Sequence, residues 1–121
     1  MMRKNLSIIF ALLCSFTLTA QNKALKGIER SYNKAKYDRC IAISLKKAKK
    51  LRKDARPYAY AGLSYYQLSL SADRQNTRTK YLKRSLSYIA KAKGKDKDDV
   101  ALKPFQKDIN DIHLLATRTA D

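Results

Sequence analysis

The sequence is poor in helix breakers and in the residues that build small reactive sites: three Gly, two Pro, two Cys and one His among 121 residues. With so little Gly and Pro, and with no polar and apolar alternation long enough for a half-buried strand, the pattern leaves helices alone. Cys14 belongs to an N-terminal apolar segment, so Cys40 stands by itself in the rest of the chain. A single thiol forms no internal disulfide, and stability must come from packing. The neighbours Ile41 and Ile43 mark Cys40 as a small buried hydrophobe. His113 has no accompanying Cys or His and excludes a zinc set of four. No Gly-rich phosphate loop, nucleophile elbow or carboxylate pair is present, and the pattern points away from an enzyme and from any cofactor. Acidic residues are also scarce, 10 against 27 basic, for a net charge of +17. That excess draws the chain toward anionic partners without specifying its fold.

Residues 1–20 read as a secretory signal. Arg3 and Lys4 give a positive start, Leu6 to Leu18 form an apolar run, and the small Ala20 closes it. The run is shorter than the roughly 20 strongly apolar residues of a spanning helix and contains Ser7, Ser15, Thr17 and Thr19. The mature chain is therefore expected to begin at Gln21, to be exported to a periplasmic, envelope-associated or secreted location, and to hold no transmembrane span. Losing Arg3 and Lys4 leaves 25 basic against 10 acidic residues, a net charge of +15.

The remaining residues 21–121 suit one small helical domain. A first helix is expected from about Asn22 to Ala35, with Leu25, Ile28, Tyr32 and Ala35 on one face. Asp38 is placed to cap a second, ending near Lys53, with Ile41, Leu45, Ala48 and Leu51 in a stripe amid lysines. Pro57 suits the first turn of a third helix running to about Ser71. That helix is apolar nearly all round, which predicts burial between neighbours. A fourth is expected from a Thr77 cap to Gly94, which suits a left-handed turn past the helix end. Lys95 to Asp99 reads as a solvated charged linker. A calcium loop starting at Asp96 is excluded, because Lys107 stands where the bidentate Glu belongs and the central Gly is missing. A fifth helix from Leu102 or Lys103 to Arg118 presents Phe105, Ile109, Ile112 and Ala116.

Tyr58, Ala61, Gly62 and Tyr65, followed by Ser85, Ile89 and Ala92, put small residues where two antiparallel helices must approach closely. With them, the stretch from about Ala24 to Ala92 resembles a degenerate tetratricopeptide-repeat array. Ala61 replaces the usual Leu, and the 23 residues from Gly62 to Ser85 exceed the family spacing of about 12, which calls for longer helices or a longer loop. The resemblance implies an all-α fold of antiparallel helix pairs stacked as a short right-handed superhelix; a simple helical bundle is the alternative. It further implies a partner-binding groove lined by Arg56, Tyr60, Leu63, Tyr66 and Gln67 from the better-matching pair, joined by Lys26, Glu29, Tyr32 and Asn33 from the other.

The function expected on this basis is a non-catalytic exported scaffold for a protein or peptide of the cell envelope. The alternative is a basic adhesive protein for anionic lipid or cell-wall polymer, suggested by the lysines from Lys46 to Lys53. Specific nucleic-acid binding is not expected, since no aromatic residues interleave with those lysines. The fifth helix lacks a sequence partner, which leaves capping, a homodimer with a second copy, and continuation into a longer array as the alternatives.

Overall fold

The computed structural model describes Lys23 and residues 25–119, which are helical throughout apart from short links, with no strand among them. The expected signal and the Gln21 start lie outside the described residues. Helix α1 covers residues 25–33. It is followed by α2 (Tyr37–Lys50), α3 (Arg56–Ser71), α4 (Gln75–Lys95), a 3-10 turn (Lys103–Phe105) and α5 (Gln106–Thr119). No helix among the described residues is long and apolar enough to cross a membrane.

Helix α3 is the centre of the domain. Ala59, Ala61, Gly62, Leu63, Ser64 and Tyr65 are all buried, consistent with its apolar circumference. It packs on α2 along one side and on α4 along another, while α5 lies against α4 and touches α3. The main core joins Ala59 and Leu63 of α3 to Leu82, Ile89 and Ala92 of α4 and to Ile109 and Ile112 of α5. A smaller cluster of Leu25, Ile28 and Cys40 ties α1 to α2.

Gly62 fixes how closely α3 and α4 approach. The Ser85 hydroxyl donates to the Gly62 carbonyl at 2.7 Å inside this contact. The long Gly62 to Ser85 interval is absorbed by helix length rather than by loop, since α4 starts at Gln75 and only three residues link it to α3.

Several expected helix ends are corrected. Ala35 is not on the α1 face. It is exposed with φ 59°, and Lys36 N–H reaches the Ser31 carbonyl at 2.9 Å across it. This is the left-handed six-to-one closure that usually employs Gly. Asp38 caps nothing; Lys36 holds the cap position, and Asp38 sits in the first turn, where its charge suits the helix dipole. Thr77 is inside α4, whose cap position falls to Arg74. Gly94 is helical, and the left-handed residue after α4 is Asp99, with φ 54°.

Asp96 corrects the solvated-linker reading. It is 8% exposed, and its carboxylate accepts the backbone N–H groups of Val100, Ala101 and Leu102 at 3.3, 3.2 and 3.0 Å. The link between α4 and α5 is thus stapled from its first residue.

Candidate functional site

The helical period separates two sides of α3. Tyr60 and Gln67, seven residues apart, share one stripe, while Tyr58 and Tyr65 share another on the far side. The first stripe meets α1 and the 3-10 turn before α5. There Tyr37, Tyr32, Tyr60 and Phe105 form a continuous aromatic row, with edge-to-face contacts at centroid distances of 5.6, 5.7 and 5.0 Å. All four rings are only partly buried. Edge-to-face pairs at these distances are favourable beyond their area. Gln67 Nε2 points toward the Tyr32 hydroxyl at 3.5 Å, a long contact.

Of the expected groove residues, the structure gathers Tyr32, Tyr60 and Gln67, with Tyr66 partly buried against the core at one border. Lys26, Glu29 and Asn33 are exposed on α1. Arg56 is engaged with Asp54, which accepts both its backbone N–H and its guanidinium, the latter at 2.9 and 3.0 Å. Leu63 is a correction. It is 1% exposed and belongs to the core that α3 shares with α4 and α5. Phe105 is the member of the row that the groove reading missed; its signal was a place at the head of the apolar face of α5.

Burial controls the chemistry of these tyrosines. The Tyr60 hydroxyl is pushed up to about 12, chiefly by burial and then by the negative charge of Glu29. Tyr32 is raised by burial, with Asp108 adding to it and Gln67 opposing, and Tyr66 by burial with Asp111 and Asp108. Carboxylates of α1 and α5 therefore border the row. A raised phenol pKa favours the folded state while the phenol is neutral. The Tyr60 contribution is complete below pH 10 and lost as pH rises toward about 12. Tyr60→Phe should accordingly show a shallower fall of the thermal midpoint over that interval than the wild type. An unchanged slope would mean that Tyr60 is solvated.

Cys40 offers no nucleophile. It is fully buried, its thiol donates toward the Ile28 carbonyl at 3.7 Å, and burial raises its pKa, against which the Ser64 and Ser44 hydroxyls act. His113 Nε2 lies 3.1 Å from Lys93 Nζ on the surface. Among the described residues no group of three or more His, Cys, Asp or Glu is placed to hold a metal.

No protein-family model, curated protein or solved structure matches the chain.

Proposed function

We propose that the chain is a non-catalytic, exported scaffold of the tetratricopeptide-repeat-like kind, in which α1 and α2 form one helix pair, α3 and α4 a second, and α5 begins a third. Packing between sequence neighbours, α2 on α3, α3 on α4 and α4 on α5, with α5 also touching α3, is what stacked helix pairs require. In this reading the side shared by α1, α3 and the 3-10 turn before α5 holds a protein or peptide of the cell envelope.

The observation that carries it is the aromatic row Tyr37, Tyr32, Tyr60 and Phe105, which joins α1, α2, α3 and the 3-10 turn while keeping each ring partly open to solvent. Partly open rings fixed by their neighbours offer large contact area at little further entropy cost. The polar groups of Gln67, Asn33 and Lys26 supply hydrogen bonds around it.

The test is capture of partners from envelope extract at two salt concentrations. Replacing Tyr60 and Tyr66 by Ala should weaken retention by at least about 2 kcal/mol, the scale of a hot spot, with the helical circular dichroism largely kept. Replacing Lys46, Lys47, Lys49 and Lys50 by Gln should leave retention at high salt nearly unchanged, since exposed charges act mainly on encounter. Loss with the lysine variant and none with the tyrosine variant would reject the groove. Because Tyr60 also packs on Phe105, Tyr66→Ala alone is the control. If both tyrosine variants lose the helical signal, the rings are core and the groove is withdrawn.

A further inference from the structure

A second aromatic row lies on the far side of α3, and its chemistry differs. Tyr58 and Tyr65 on α3, and Tyr81 and Tyr88 on α4, are each spaced by seven residues, so each pair stands on one stripe. The two helices run antiparallel, and the stripes interleave in the order Tyr81, Tyr65, Tyr88, Tyr58, with centroid steps of 6.0, 5.7 and 6.1 Å. The last two pairs are stacked, within 5° and 15° of parallel.

Cations lie along this row. The Arg84 guanidinium sits 5.8 Å from the Tyr65 ring centre, Lys91 Nζ 5.2 Å from Tyr88 and 5.8 Å from Tyr58, and Lys95 Nζ 5.5 Å from Tyr58. Lys95 also donates to the Arg52 carbonyl, which joins the strip to the basic link between α2 and α3. Along the two helices no carboxylate interrupts it, since α4 carries seven Lys and Arg and no acidic residue and α3 has no acidic residue either; Asp54, Asp96 and Asp98 border it only at the Lys95 and Arg52 end. The one ion pair among the described residues, Arg56 with Asp54, lies at that end, beside Arg52 and Lys95.

We infer that this strip is a docking surface for an anionic phospholipid bilayer. Recognition of bases or sugars by stacking needs open ring faces, and here those faces are occupied by neighbouring rings and by cations. Tyr65 is buried beneath the strip, and what the strip offers outward is the phenol edges and hydroxyls of the half-buried Tyr58, Tyr81 and Tyr88 between ammonium and guanidinium groups. Amphipathic rings of this kind settle at the headgroup level, and each Lys or Arg near an anionic leaflet adds attraction. The bilayer meets α4 and the far stripe of α3, leaving the Tyr32–Tyr60 row free, so this inference stands independently of the partner proposed for that row.

The experiment is co-sedimentation of the purified chain with vesicles of phosphatidylcholine, with and without phosphatidylglycerol. The apolar residues 6–18 act on both vesicle types, so the readout is the difference between them. Binding should be specific to the anionic vesicles and fall with salt. The triple variant Arg84→Gln, Lys91→Gln, Lys95→Gln should lose at least about tenfold in partitioning. The triple Lys34→Gln, Lys103→Gln, Lys107→Gln, with the same charge change off the strip, should lose far less. Equal losses would show that net charge alone acts and would overturn the proposal. So would tight binding of soluble polyphosphate without vesicle binding. Should the strip variant fail to fold, amine acylation of the wild type read by peptide mass supplies the answer. Vesicles should protect Lys91 and Lys95 and leave Lys34 and Lys107 reactive; uniform labelling would reject the strip.

Discussion

Gly62→Leu is expected to lower the thermal midpoint by more than about 10 °C, given that about 1 kcal/mol moves a domain of this size by roughly 4 to 8 °C. A Cβ on Gly62 would lie 2.8 Å from both Cγ1 and Cδ1 of Ile89 and 3.1 Å from the Ser85 carbonyl oxygen. Neither neighbour yields easily. Ile89 is 1% exposed within the main core, and the Ser85 oxygen is α4 backbone. Even Gly62→Ala, which gains about 1 kcal/mol of helix propensity, meets an overpacking cost of about 1 to 3 kcal/mol and should be moderately destabilising. The Leu side chain has no space to enter and must push α3 off α4, at a cost above about 3 kcal/mol. Thermal circular dichroism decides it. A Leu variant that melts with the wild type would show that the two helices do not meet at this residue.

Asp96→Ala should be the second severe change, at about 2 to 4 kcal/mol. It removes a charged acceptor from three backbone N–H groups, and hydrogen bonds to charged groups contribute about 1.5 to 3 kcal/mol each before the link relaxes toward water. The Leu102 N–H is the most exacting of the three, because Leu102 is itself 5% exposed and anchored in the main core. Asp96→Asn keeps one carbonyl acceptor and should lose roughly half as much. Hydrogen exchange separates this local effect from global unfolding. The amides of Val100, Ala101 and Leu102 should lose protection in the Ala variant before those of α3 do. Unchanged exchange at these amides would mean that the link holds its shape without the carboxylate.

The sequence was most legible where the signal was local and periodic. Pro57 in the first turn of α3, the burial of that helix on nearly all sides, and the contact of Gly62 with Ser85 and Ile89 follow from residue size and the 3.6-residue period. Chain ends of helices were less legible. Asp38, Thr77 and Gly94 have the chemistry of caps, yet α2 and α4 run one or two residues past those positions, although the residues they bury, Cys40 to Ala48 and Leu82 to Ala92, all lie inside them. Ala35 takes a conformation that composition assigns to Gly, since the packing of α1 on α2 demands the turn there.

The site was legible only in part, for a similar reason. Arg56, Leu63 and Gln67 lie on neighbouring parts of the α3 surface, but whether a residue is groove or core depends on where α5 settles, a contact more than forty residues away in sequence. Leu63 falls in the core shared with α4 and α5, and Phe105 of the 3-10 turn joins the row. The far row rests on seven-residue spacings, Tyr58 with Tyr65 and Tyr81 with Tyr88, that mark no site in the sequence until the antiparallel register brings the pairs together.

The central position of α3 also governs how the chain reaches its fold. Its helices pack chiefly on the elements next to them in sequence, so few long loops must close before contacts form, and a topology of this kind collapses on the microsecond-to-millisecond scale. The hairpin of α3 and α4, joined by a three-residue link and holding both the Gly62 contact and the far tyrosine row, is the natural nucleus. The outer helices then add to an existing template. If opening runs the same path backwards, hydrogen exchange should find the amides of α1 and α5 exchanging through partial unfolding and those of α3 and α4 only when the whole domain opens.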